Sequence, residues 1–112
     1  MDDSRTDVEP GRRVAKEMRS LRFDPRFSED LRAAMDWYEG VSAQAAEKLR
    51  AALADRFESL SMFPESYSLF FGTEEHRGAS IKGFPWAIVF RIDGDFVRVI
   101  RFVHLSSDWQ NE

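Results

Sequence analysis

Apolar residues recur along this chain with two periods, about 3.6 in its middle and two near its carboxyl end. The second signal is the sharper. From Phe84 to Ile92 and from Phe96 to His104, β-branched and aromatic residues form two runs around Asp93-Gly94-Asp95, which predicts a β-hairpin. Alternation puts Trp86, Ile88, Phe90 and Ile92 on one face, with Ala87, Val89 and Arg91 on the other. Two largely apolar faces exceed what one buried side requires. The hairpin is therefore expected at the centre of a sheet, covered by helices.

The longer period marks two helices. Asp24 can cap a helix that Pro25 opens, and Phe27, Leu31, Ala34, Met35 and Tyr38 follow as one stripe up to Gly40. Ser42 caps a second, with Ala46, Leu49, Leu53, Phe57 and Leu60 as its stripe and Pro64 closing it. A connection of about three residues makes the pair an antiparallel helical hairpin. Met18–Phe23 reads as a first strand, Tyr67–Phe71 as a short apolar lead-in, and Ala79–Lys82 as the strand before the hairpin. The fold class that follows is α+β. A small antiparallel sheet packs on an amino-terminal two-helix hairpin, in the order β-α-α-β-β-β. Residues 1–17, polar and broken by Pro10-Gly11, read as a flexible extension, and the domain runs over 18–112.

Composition narrows the possibilities. The 112 residues suit one domain with a single core. The chain has no cysteine, which excludes disulfides and thiolate metal sites and makes the cytoplasm the simpler home. No apolar run approaches the roughly 20 residues of a membrane span. The net charge is −4, and the excess acid falls on the helical segments. That is a solvated outer face, not the basic footprint of an autonomous nucleic-acid binder.

Candidate chemistry is sparse. A phosphate loop, an HExxH sequence and paired His/Cys spacing are all missing, so nucleotide-loop and zinc readings fall away and no cofactor is expected. His104 ends the last strand. It can serve as an acid, a base or a donor near neutral pH, or simply bond to neighbouring backbone. Arg77, Lys82, Arg91, Arg98 and Arg101 all fall on the expected sheet, where they would either bind anions or pair with carboxylates and shield an edge. Trp37 and Trp86 flank apolar stripes and read as core. Trp109 lies in a polar tail and is expected to anchor it on the domain or on a partner.

Three stretches resemble the RelE/ParE superfamily of type II toxin–antitoxin toxins. Leu21-Arg22-Phe23-Asp24-Pro25, with Asp30-Leu31 and Asp36-Trp37-Tyr38-Glu39, looks like the family's first strand and opening helix. Phe63-Pro64-Glu65 resembles its helix-ending signature. Phe84 to Arg91 and Val103-His104 resemble its central strands. The likeness spans Met18 to Trp109. It implies the fold just derived and a cognate antitoxin wrapping a groove or the sheet, with Arg98, Arg101 and Trp109 as residues for binding the target or the antitoxin. It also implies one of two activities. ParE-like members poison DNA gyrase by binding. RelE-like members are metal-independent endoribonucleases that cleave mRNA on the ribosome, for which Arg77, Lys82, Arg91 and His104 are the catalytic candidates here. The helix and the strand look closer to the ParE side. Ala87, Ser106 and Ser107 stand where many relatives carry basic residues, and they cannot offset charge on a phosphorane-like transition state. The resemblance therefore points to an inhibitor that binds. An mRNA interferase and a non-toxic binding module on the same fold are the alternatives.

Overall fold

Asp24 and Ser42 set the helical half of the molecule. A computed structural model describes residues 18–69 and 74–106. In it β1 (Ser20–Phe23) leads into α1 (Pro25–Val41), α2 (Ala43–Met62) and a 3-10 turn (Pro64–Ser66). Strands β2 (Arg77–Ser80), β3 (Trp86–Asp93) and β4 (Phe96–His104) follow. The Asp24 side chain accepts the Arg26 backbone N–H at 2.8 Å, satisfying an amide the helix leaves open. Ser42 serves two helices at once. Its N–H donates to the Tyr38 carbonyl, while its Oγ accepts from the Ala45 N–H at 3.2 Å. The connection is thus one extended residue, shorter than the three expected. Gly40 lies inside the last turn of α1 instead of ending it.

The sheet order is β1-β4-β3-β2. The hairpin holds the two inner positions, as its double apolar faces required. Gly94, at φ 62°, begins the two-residue turn between Asp93 and Phe96. Strands β2, β3 and β4 are antiparallel, but β1 runs parallel to β4, with Ser20 opposite Phe96 and Phe23 opposite Val99. The sheet is therefore mixed where an antiparallel one was expected. A parallel pair needs a long crossover, and the helical hairpin with β2 and β3 supplies it. Strand β2 starts and ends two residues earlier than its sequence suggested. Gly83, at φ 84°, and the Phe84 N–H bonded to the Ile81 carbonyl make residues 81–84 a turn.

The helices cover one face of this sheet. Phe27 and Ala34 of α1 and Leu49, Leu53 and Leu60 of α2 bury against Ile88, Phe90, Val97, Val99 and Phe102. Pairing shifts between Val89 and Phe90, leaving Ile100 as an extra residue in β4. Such a bulge changes the alternation, so Val99 and Phe102 both reach the helical core. On the opposite face Ala87, Val89 and Val103 form a separate small buried cluster. Among the described residues no helix is long and apolar enough to cross a membrane. Nor does any group of three His, Asp or Glu suit a metal ion.

Candidate functional site

Helix α1 meets the ends of β3 and β4 along an aromatic groove of about 580 Å³. Trp86 is its centre. Its indole stacks on Phe102 with centroids 4.8 Å apart and planes 4° from parallel, and meets the His104 ring edge-on at 5.0 Å. The Trp86 Nε1–H donates to the Tyr38 hydroxyl at 3.0 Å, so the polar edge of a largely apolar residue is satisfied. Trp37 stands perpendicular to Tyr38 at 4.9 Å and is 63% exposed. The expectation that Trp37 is core is corrected. It follows Asp36 and precedes Tyr38 on the helix, so it falls beside the buried stripe and lines the groove wall instead. Trp86 does pack against the core.

At the floor Asp30 ties α1 to the bulged strand. Its carboxylate accepts from Arg101 Nε at 2.7 Å and Nη2 at 3.4 Å, and from the Phe102 N–H at 3.1 Å. Arg101 is thereby drawn into the joint between helix and sheet. His104 closes the groove's other end. Its Nδ1 accepts the Ser106 N–H at 3.2 Å and lies 2.7 Å from the Ser106 Oγ. A backbone N–H can only donate, so neutral His104 carries its proton on Nε2.

The remaining cations do not converge on this groove. Arg77 donates from Nη1 to the Tyr67 carbonyl at the β2 edge. Lys82 sits beside Asp55 and Arg56 in a shallow depression against α2. Arg91 and Arg98 face away from the helices and share Asp93, at 3.3 and 3.8 Å, while Glu75 lies 3.9 Å from Arg91. Trp109 and Ser107 lie outside the described residues. Ala87, where the resemblance implied a basic residue, is only 2% exposed within the small second cluster.

One cation was not singled out from the sequence. Arg22 lies beside Arg98 in the parallel pairing, its guanidinium 4.0 Å from the centre of the Phe96 ring. Arg98 approaches the same ring at 5.4 Å. Its outward position in the first strand was the available signal, but without the pairing partner nothing distinguished it from any exposed arginine.

Known proteins resolve what this architecture is. The model of the ParE toxin of the type II toxin–antitoxin system, parDE, matches residues 21–109. No curated protein sequence matches the chain. Among solved structures, one from the chromosomal ParDE TA system of P. aeruginosa aligns with a TM-score of 0.70 at 18% identity, covering 80% of this chain and 99% of that one. The E. coli DinJ-YafQ toxin–antitoxin complex aligns at 0.52 with 16% identity, covering 78% and 92%. YafQ from E. coli strain BL21(DE3) aligns at 0.50 with 17% identity, covering 77% and 92%. These structural likenesses establish the fold, while the family model spans the first strand, both helices and the central hairpin. The chain belongs to the ParE toxin family of type II toxin–antitoxin systems.

Proposed function

We propose that this toxin inhibits DNA gyrase in the cytoplasm by binding it, and that a cognate antitoxin protein neutralises it. One observation carries the choice of binding over RNA cleavage. Of the four residues that cleavage would use, Arg77, Arg91 and His104 are dispersed over the sheet and Lys82 stands in the turn after β2. His104 pairs with Trp86 and shares its face, whereas Arg91 lies five residues along β3 on the opposite face. At strand spacing that is roughly 17 Å. Arg77 is held at the β2 edge by the Tyr67 carbonyl. Cutting a phosphodiester without a metal needs an acid, a base and cations within hydrogen-bond reach of one phosphate. The aromatic groove, in contrast, suits a protein surface. Exposed Trp37 beside Tyr38 is the kind of rigid aromatic anchor that dominates binding energies.

A supercoiling assay with purified protein tests the reading. Loss of supercoiling, or accumulation of gyrase cleavage complexes, is the expected result, and unchanged activity rejects it. Toeprinting on translating ribosomes separates the enzymatic alternative, since A-site cuts abolished by Arg77→Ala would establish an interferase. Normal growth on induced expression of soluble protein would leave only a binding module.

A further inference from the structure

We propose that Arg22, Arg98 and Arg91 form a docking surface for an acidic, extended segment of a partner protein, on the sheet face turned away from the helices. The pairing registers place Arg22 opposite Arg98 and Arg98 opposite Arg91. Strands lie about 4.8 Å apart, so three guanidinium groups from three strands line up within roughly 10 Å. Like charges directly opposite one another destabilise a sheet. This row therefore works against the fold unless something outside it supplies the compensating charge.

The internal compensation is partial, and the Asp24 carboxylate contributes to it through its attraction to Arg98. Asp93 is shared by Arg91 and Arg98 at 3.3 and 3.8 Å, and Glu75 reaches Arg91 only at 3.9 Å. Among the described residues Arg22 has no carboxylate partner, and its guanidinium rests on the Phe96 ring. Each guanidinium carries five donors in a planar fork, more than these few contacts engage. Asp93 shows which ligand fits. A carboxylate sits between two members of the row, and a second or third from another chain would meet the remaining forks. Alternate residues of an extended peptide are about 7 Å apart, so two successive carboxylates on one side of it span most of the roughly 10 Å row.

An acidic peptide fits better than nucleic acid. The chain carries a net charge of −4, and a phosphate backbone would have to approach against it, with no basic stripe continuing from the row among the described residues. Phe96, the aromatic that the described residues place on this patch, has Arg22 and Arg98 over its ring and offers no open platform for a base. The surface lies on the opposite face from the Trp86 groove, and the proposal does not depend on which target the toxin inhibits.

Fluorescence anisotropy with a labelled octapeptide of alternating Glu and Ser provides the test, with its Gln-Ser counterpart and a single-stranded oligothymidine as comparators. The Glu peptide should bind, lose affinity with added salt, and bind roughly tenfold or more weakly to the Arg22→Gln/Arg98→Gln double variant. Arg98→Lys, which keeps the charge but loses the fork, should fall between. The double variant should melt at or above the wild-type temperature, because a like-charge pair is relieved. Absence of Glu-peptide binding, equal binding by the double variant, or tighter binding of the oligothymidine would overturn the proposal. A clearly lowered melting temperature would place the row in the fold instead and overturn it as well. Arg22→Gln alone, at an exposed site, provides the same comparison if the double variant does not fold.

Discussion

The two faces of the central hairpin use the same alternating pattern for different ends. On the helical face every second residue of β3 is large and apolar, and Ile88 and Phe90 are wholly buried under α1 and α2. On the other face the buried part shrinks to Ala87, Val89 and Val103, and the pattern then gives way to Arg91 and Asp93. Burial contributes in proportion to apolar area, so the first face holds the molecule together. The second adds little area and sets like charges side by side. It is the face on which residues are free to serve a partner. In a toxin of a toxin–antitoxin pair, this division leaves exposed charged residues on a scaffold that does not need them to fold.

Truncating the helical face should have the largest effect. Phe90→Ala removes a fully buried ring and is expected to cost about 3–5 kcal/mol, a large share of the stability of a domain this size, measured by urea unfolding. The Asp30 joint should come next. Asp30→Ala takes a charged acceptor from both the Arg101 guanidinium and the Phe102 N–H, for an expected loss of about 2 kcal/mol. If that variant unfolded with the wild type, the helix would be held on the strand by apolar packing alone. The cap at Asp24 should matter less. Asp24→Ala should cost about 1 kcal/mol at neutral pH.

That last effect has a pH signature. Hydrogen bonds from the Arg26 side chain, then from its backbone N–H, hold the Asp24 carboxyl below its ordinary value of 3.8. A depressed carboxyl stabilises the fold above its unfolded-state pKa and loses that contribution as pH falls through the folded-state value. The gap between wild type and Asp24→Ala should therefore be constant at neutral pH and close in acid, below that ordinary value. A gap that persists into strong acid would mean that the cap works through its shape and not its charge. Smallest of all should be the stability change from neutralising Arg22 and Arg98, on the face that the fold does not rely on.

Much of this was legible in one dimension because it is local. Asp24-Pro25 and Ser42 announce helix starts through bonds made within three residues, and the stripe from Ala46 to Leu60 declares its buried side by spacing alone. The hairpin was equally plain, since Gly94 and the flanking alternation are neighbours. Gly40 misled because a glycine near a helix end often stops it, whereas here the extended backbone of Ser42 does so. Trp37 misled because it adjoins an apolar stripe without belonging to it, and only the packing of α1 on the strands shows which side it faces.

The sequence by itself thus determined the elements, their order, the core and the family likeness, all of which rest on short-range spacing and residue chemistry. Tertiary structure alone decided that β1 runs parallel to β4, that Ile100 bulges out of register, and that Asp30 meets Arg101 across 71 positions. It alone set Arg22 beside Arg98 and apart from the groove around Trp86. The reason is physical: a strand's own residues say which of its faces is apolar, but not which distant strand it will pair with. That choice is made by packing the whole core at once.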